Sequence, residues 1–496
     1  MASASEPGDA SSEGCSVGVR AEVAALDDGG KPAAAATSAG GATVRIESKG
    51  AAELTSLRRV SSSIYELLPP RRQWLTMLLM SCATVLLPFA NTAFLPAIAA
   101  ITQDLATTPT VTALAISAYM FAIGLSSLVW GPVADHWGRR RTLFAACLLF
   151  VGASLGCAFA PAAGALAALR ALQGAAVAAF GVACNAVVAD VFAPDERGKA
   201  MGVFAVPVLV GPVLGPLIGG ALSQALGWRS TFVAVAVYGA LVLVLLLTFM
   251  RETHHHYVLK HIRSTQGDAA AHSIRECSSI ARPKLDAPWR PLIHLLDPNV
   301  LPHAVAVVVQ YGAFFSCMVV LPSTLAAPPY RLPQACIGAT NMALGLGLLA
   351  AAPLAGALAD RAARAAPGAP SARMLFSAPF ALAVSPAATL LFGWSLQARL
   401  HLAAPAAACF LIGAGVGAYA PAANALISIV KQQHAGAAGG ALFAAMFLTG
   451  GVFTQVTPIG LHYLGVGRYS CIMAAGGGAA PAAESVADAK VVDLNV

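Results

Sequence analysis

Between residues 73 and 459 the chain alternates long apolar runs with short polar breaks. Several runs reach the roughly 20 residues that a helix needs to cross a bilayer. They predict six spans in the first half, at 73–101, 111–134, 143–161, 166–192, 200–222 and 228–250. Five more follow at 299–325, 338–358, 374–396, 402–428 and 436–459. A twelfth stretch, 469–483, is short, loaded with Gly and Ala and without leucine, so that span is expected to be degenerate or missing.

The domain plan follows from this pattern. Residues 1–72 read as a disordered tail, 73–250 as a six-helix bundle and 251–298 as a polar linker. A second bundle occupies 299–483 and a polar tail 484–496. Arg58, Arg59, Arg71 and Arg72 precede the first span and hold the N-terminus in the cytoplasm, because the basic bias of short loops sets orientation.

Composition agrees with the pattern. With 57% hydrophobic and 11% charged residues, the chain has too few charges for an ordinary globular surface. The class is an all-α polytopic membrane protein. The net charge of +7 collects in segments placed inside, which is topology and excludes a nucleic-acid partner. Ten scattered cysteines without a C-x-x-C pair indicate neither a zinc site nor a disulfide framework. His254-His255-His256 lies in the linker and reads as a solvated stretch, so no metal is expected.

Three stretches carry chemistry. Gly131-Pro132-Val133-Ala134-Asp135-His136-Trp137-Gly138-Arg139-Arg140-Arg141 joins spans two and three and reads as a loop of about ten residues. Gly131 is expected to allow a close helix approach and Gly138 a tight reversal, with Asp135 capping or pairing with an arginine. Arg170 lies within span four, in Leu169-Arg170-Ala171-Leu172-Gln173-Gly174. A membrane-depth arginine calls for a polar interior, and snorkelling to the outer interface is the alternative. Span five places Gly211, Gly215 and Gly219 four apart, a side-chain-free stripe for helix packing, with Pro212 and Pro216 adding bends.

An internal repeat is also legible. Leu95-Pro96 recurs as Leu321-Pro322, and Gly131-x-x-x-Asp135 as Gly356-x-x-x-Asp360, at an offset of about 226. The second copy lacks Gly138 and the arginine run.

Gly131, Asp135, Gly138, Arg139 and Arg140 resemble the loop between spans two and three of the major facilitator superfamily. Arg170-x-x-Gln173-Gly174 and the Gly211-to-Gly220 stretch resemble span-four and span-five motifs of its twelve-span drug:proton antiporter branch, in fungal form. The resemblance implies a major facilitator fold of two six-helix pseudo-repeats, and proton-coupled export of drugs or small organic metabolites at the plasma membrane. It implies a monomer in a lipid bilayer, driven by the proton gradient without a cofactor. Asp135, Arg139 and Asp190 would latch the two helix groups in an outward-open state. Arg170 would take part in proton coupling, and Pro212, Gly215 and Pro216 would let span five bend and restrict leak.

The residues also set limits. Arg170 stays protonated and cannot itself carry the proton. No Asp or Glu lies deep in a span, which leaves Asp104, Asp190, His303, His401 and His462 as carriers. Asn91, Gln173, Asn185, Gln310, Tyr311, Asn341 and Tyr419 are the candidate substrate contacts, with helix–helix hydrogen bonding the alternative for each. Arg170 would bias the cavity toward neutral or anionic substrates. A nutrient facilitator or symporter, and a non-transporting carrier relic or receptor-like protein, are the rival functions. No nucleophile–base pair or phosphate loop points to an enzyme.

Overall fold

The computed structural model describes residues 69–192, 194–253, 257, 289–365, 377–431 and 435–478, and every regular element among them is a helix. His254-His255-His256 lies outside the described residues.

Helix α1 (Pro70–Thr92) opens with proline in its first turn, where a missing N–H is harmless. It stops two residues before the 3-10 turn Leu95–Ala97, and the short helix Ile98–Asp104 completes the crossing. Pro96 accounts for the break, since it offers no N–H to Thr92 and disfavours helical geometry at Leu95.

Helix α2 (Pro109–Trp137) starts where the Thr108 hydroxyl accepts the Val111 N–H at 3.4 Å. It runs to the last residue before Gly138, and α3 (Arg139–Ala158) begins directly after. The expected ten-residue loop is therefore wrong. A single glycine, at φ +93°, makes the reversal. The charged residues around it are good enough helix formers to carry both helices past the apolar runs.

Next come α4 (Ala163–Val191), α5 (Pro194–Leu226) and α6 (Arg229–Phe249). After the short helix Arg290–Ile293, the second half holds α7 (Leu301–Ala326), α8 (Gln334–Ala365), α9 (Ser385–Gln397), α10 (Ala403–Val430) and α11 (Ala435–Gly478). A π turn, Phe380–Val384, leads into α9. Among the described residues, ten helices are long and apolar enough to cross a membrane.

Helix α11 contains a reversal of its own. Gly465 sits at φ +74°, and Thr457 Oγ1 meets the Tyr469 hydroxyl at 2.9 Å across the turn. The described part of the weak twelfth span is thus a helical limb, 466–478, folded back against α9, where the Gly467 N–H donates to Gln397 Oε1 at 2.7 Å. At 1.5 Å per residue it is about 20 Å long. That falls short of a hydrocarbon core of about 30 Å.

The two halves repeat one packing scheme. In the first, α2 lies so close to α4 that a Cβ on Gly174 would stand 2.3 Å from the Tyr119 carbonyl oxygen. In the second, α8 lies equally close to α10, where a Cβ on Gly413 would stand 1.9 Å from the Leu344 carbonyl oxygen. The repeat is incomplete at Gly356 and Asp360, since α8 runs through both to Ala365 without a turn glycine.

Between the halves, α2 meets α11 and α5 meets α8. The closest contacts lie at the end remote from the Gly138 reversal. There a Cβ on Gly338 would stand 2.1 Å from the Pro216 carbonyl oxygen, and the Ala335 N–H donates to Gln224 Oε1 at 3.0 Å. Ser117 Oγ donates to Gln455 Oε1 at 2.9 Å on the α2–α11 side. Toward the Gly138 end the halves part around a cavity.

Candidate functional site

The cavity has a volume of about 1520 Å³. Its floor lies at the α1 break and its mouth beside the Gly138 reversal. Asn91, Thr92, Ser127 and Asn185 from the first half are among its polar lining residues. The facing wall is aromatic. Tyr311, Phe314 and Phe315 come from α7, and Phe443 and Phe447 from α11. These rings touch one another in tilted and edge-on pairs, with centroids 4.8–6.2 Å apart.

Of the seven expected substrate contacts, Asn91, Asn185 and Tyr311 border this cavity. The other four do not. Gln173 is fully buried inside the first half and donates to Ser154 Oγ at 2.6 Å. Tyr419 is buried in the second half, its hydroxyl 3.0 Å from His303 Nδ1. Gln310 and Asn341 are buried without a hydrogen-bond partner for either amide atom. A polar residue in an apolar helix does not reveal which face it occupies, and here four faces turn into helix–helix contacts. The aromatic wall was missed beyond Tyr311, although Phe314 and Phe315 sit three and four residues from it, a spacing that shares a helix face.

Charge gathers at the mouth. Arg139 forms ion pairs with Asp135 and, at 3.1 Å from Nε, with Asp190. Glu252, which no pattern in the sequence marks, accepts the backbone N–H groups of Arg139 and Arg140 at 2.9 and 3.3 Å. It thereby caps the otherwise unpaired start of α3. The Tyr257 hydroxyl donates to the His136 carbonyl. Arg140 instead lays its guanidinium 5.1 Å from the Phe144 ring centre.

All these groups belong to α2, α3, α4 and the segment after α6. The cluster as these contacts form it ties together the first half. It is also fully formed while the cavity stands open beside it. Gly131 makes no close approach in this conformation, since a Cβ there would stand 3.7 Å from its nearest neighbour, Val182 Cγ1.

Arg170 is fully buried, which removes the snorkelling alternative. Nor does it border the cavity, so the expected bias of the cavity by its charge is withdrawn. Its Nη1 donates to the Ala90 carbonyl at 3.1 Å and to Gln173 Oε1 at 2.6 Å, and Nε donates to the Ala115 carbonyl at 3.3 Å. The rings of Tyr119 and Phe94 cover the guanidinium at 3.9 and 4.4 Å. Ala90 precedes the α1 break, where helical partners run out. Arg170 thus fastens α1, α2 and α4 at that break through neutral acceptors and π faces.

Helix α5 presents two stripes. Gly211, Gly215 and Gly219 face α1, where Cβ atoms would collide with Pro88, Thr92 and Ala93. Pro212, Pro216 and Gly220 face α8, against Gly345, Gly338 and Gln334.

The five expected proton carriers are also placed. Asp104 is held by Arg229 Nη1 at 2.6 Å and Trp228 Nε1 at 3.0 Å. Asp190 is engaged by Arg139. His401 accepts the Ala403 N–H at 3.3 Å at an exposed position, and His462 is exposed. His303 alone among the three histidines is half-buried.

Comparison with known proteins gives a consistent picture. The family model described as Major Facilitator Superfamily matches residues 80–454. The chain is 36% identical over 185 residues to the MFS antiporter QDR3 of Candida albicans, covering 37% of this chain and 26% of that protein. It is 30% identical over 363 residues to the MFS-type transporter mpsC of Macrophomina phaseolina, covering 70% of each. The match to the Candida protein thus spans about a quarter of that relative's length. Among solved structures, the xylose transporter XylE from E. coli in a partially occluded inward open conformation superimposes with a TM-score of 0.62 at 14% identity, covering 83% of this chain and 96% of that one. A family match across most of the chain, with helices in two similarly packed halves around a cavity, makes this chain a member of the Major Facilitator Superfamily.

Proposed function

We propose that the protein exports small organic molecules across the plasma membrane in exchange for protons, acting as a monomer by alternating access. The observation that carries this reading is the cavity itself. It lies between two similarly packed halves, opens toward the Gly138 end, and is closed at the other end by the α5–α8 and α2–α11 contacts. Placing the N-terminus and the arginines of the Gly138 reversal in the cytoplasm makes this conformation inward-facing, ready to load cargo for export. The antiporter name of the Candida relative and the chain's own span-four and span-five motifs support exchange over symport.

In this reading the Asp135–Arg139–Asp190 cluster keeps α2, α3 and α4 one rigid unit at the cytoplasmic end. The pairs are partly exposed, so their worth is modest and they can rearrange during the cycle. Arg170 holds the α1 break in place while a separate group carries the proton. His303 with Tyr419 is the pair best placed for that, His303 being half-buried and without an ion-pair partner among the described residues.

The test is flux into proteoliposomes. An antiporter accumulates a fluorescent substrate in vesicles that are acidic inside and stops when a protonophore collapses the gradient. Accumulation in vesicles that are alkaline inside would make the protein a symporter. Equilibration indifferent to the gradient would make it a facilitator, and no protein-dependent flux would remove the transport reading.

A further inference from the structure

The end of the linker is helical and largely apolar. Arg290–Ile293 form the short helix, and His294–Leu296 continue it as a 3-10 turn. Seen down its axis the segment has three faces, because a helix advances about 100° per residue. Leu292 and Leu295 face the protein. Leu295 is 8% exposed and joins a buried apolar cluster with Val300, Ala304, Leu426 and Leu442. Arg290, Pro291 and His294 border the mouth of the cavity. The third face carries Trp289, Ile293 and Leu296, which are 65%, 61% and 67% exposed. Their spacing of four and three residues sets them side by side. Ile293 stands at the edge between this face and the mouth, which it also lines.

These three side chains carry no charge and no polar group beyond the indole N–H. An exposed apolar patch of this kind marks an interaction surface. Two observations identify its partner. The first is continuity. The chain passes from Leu296 directly into the membrane-crossing helix α7, whose first apolar residues, Leu301 and Val305, are also exposed. The second is position. Arg290 and His294 border the same mouth as Asp135 and Arg139, so Trp289 and the exposed Trp137 lie at one end of the molecule. The exposed Trp74 lies there too, since its ring meets Phe192, just past Asp190, edge-on at 5.4 Å. Tryptophans gathered at one end of a helical membrane protein mark a membrane–water interface, where the ring sits among acyl chains and the N–H reaches the headgroups.

We infer that Trp289, Ile293 and Leu296 form an interfacial anchor, seated in the headgroup–acyl boundary of the leaflet at the Gly138 end. The contact is apolar and needs no anionic lipid, because no side chain on that face is charged. Since the adjoining face borders the mouth, the anchor fixes one rim of the cavity to the bilayer surface. This assignment concerns the membrane and is independent of transport.

The experiment reads the emission of Trp289 in the full-length chain in lipid nanodiscs, as the difference between the unsubstituted protein and Trp289→Phe. In neutral phosphatidylcholine brominated near the headgroup end of its acyl chains, that difference should fall to about half or less, as for an indole about 5–10 Å into the boundary. Bromines at the chain ends should quench it less, and aqueous iodide should leave it nearly unchanged. Leu296→Asp, measured against the same variant carrying Trp289→Phe, should return the indole to water, with the lipid quenching lost and iodide quenching raised severalfold. Unaltered emission from the remaining tryptophans will show that this variant keeps its fold. Quenching of Trp289 by iodide and not by brominated lipid would place the face in water, and protection from both would place it beneath another stretch of protein. Lipid quenching confined to anionic lipid would make the contact electrostatic. Each of these results, or a Trp289 signal indifferent to Leu296→Asp, would overturn the anchor.

Discussion

Arg170 is a buried cation whose neighbours are carbonyls, an amide and aromatic rings. Its position was legible in the sequence, because an arginine between apolar turns of a span needs a polar or π environment. Its partners were not, since they come from Ala90, Ala115 and Tyr119, residues that no charge pattern singles out. Substitution by Lys keeps the charge but cannot span the same acceptors. Arg170→Lys is expected to cost about 2 kcal/mol or more, read as a clear fall in Tm of the detergent-solubilised protein. An unchanged Tm would show that the fastening is not what the arginine does. Gly138 is the complementary case, where residue type alone announced the geometry. At φ +93°, and with a Cβ placed 2.7 Å from Glu252 Oε2, Gly138→Ala should cost roughly 1–2 kcal/mol and dislodge the Glu252 cap. Amide exchange at Arg139 and Arg140 should then rise, whereas unaltered protection would contradict the capping role. Glu252 itself was invisible beforehand, being one acid in a polar segment whose partner is backbone.

Helices were read well from apolar length, and their ends less well. The α2–α3 connection shrank to one residue because helical propensity continued through charged positions beyond the bilayer-length run. The hairpin within α11 was hidden by the opposite effect: Gly465 turns the chain inside an almost unbroken apolar pattern. On α5 the two stripes make a prediction that separates packing within a half from packing between halves. Gly219→Val should destabilise the first half, because the Ala93 carbonyl cannot yield. Gly338→Val should leave each half intact but prevent α8 from seating on Pro216, so the population shifts toward conformations parted at that end. A maleimide added from the side remote from Gly138 should then label Cys336 faster, and equal labelling would rule out the shift. At the start of α7, Lys431 Nζ donates to Asp297 Oδ2 at 2.5 Å and the Asn299 N–H also donates to that carboxylate. Both hold the Asp297 carboxyl below its ordinary range. A depressed folded-state value means that the contribution is present above the unfolded pKa and is lost only as pH falls through the folded one. Asp297→Asn should therefore lower Tm equally at pH 6 and pH 8, and a loss confined to one of them would contradict the pairing.

At the scale of the molecule, the two-fold repeat was legible from two marks at one offset, and the structure bears out equivalent packing of α2 on α4 and α8 on α10. What the sequence could not supply was the rotation of each helix about its axis. That rotation decides which amides meet the cavity and which meet a neighbouring helix, and it explains why Asn91 and Asn185 line the cavity while Gln310 and Asn341 do not. Asp135, Arg139 and Asp190 already fall in the first half by sequence, and the structure joins them there. The account instead makes the α5–α8 and α2–α11 contacts the gate, closed here at the end remote from Gly138. Pulsed electron–electron resonance tests this most directly, with one spin-label pair across each end: Leu226 with Cys336 at the closed end, and Trp137 with Arg364 at the open end. Addition of a transported dye together with a proton gradient should lengthen the first distance and shorten the second in the same population. Distances that stay fixed, or that lengthen together, would contradict alternating access.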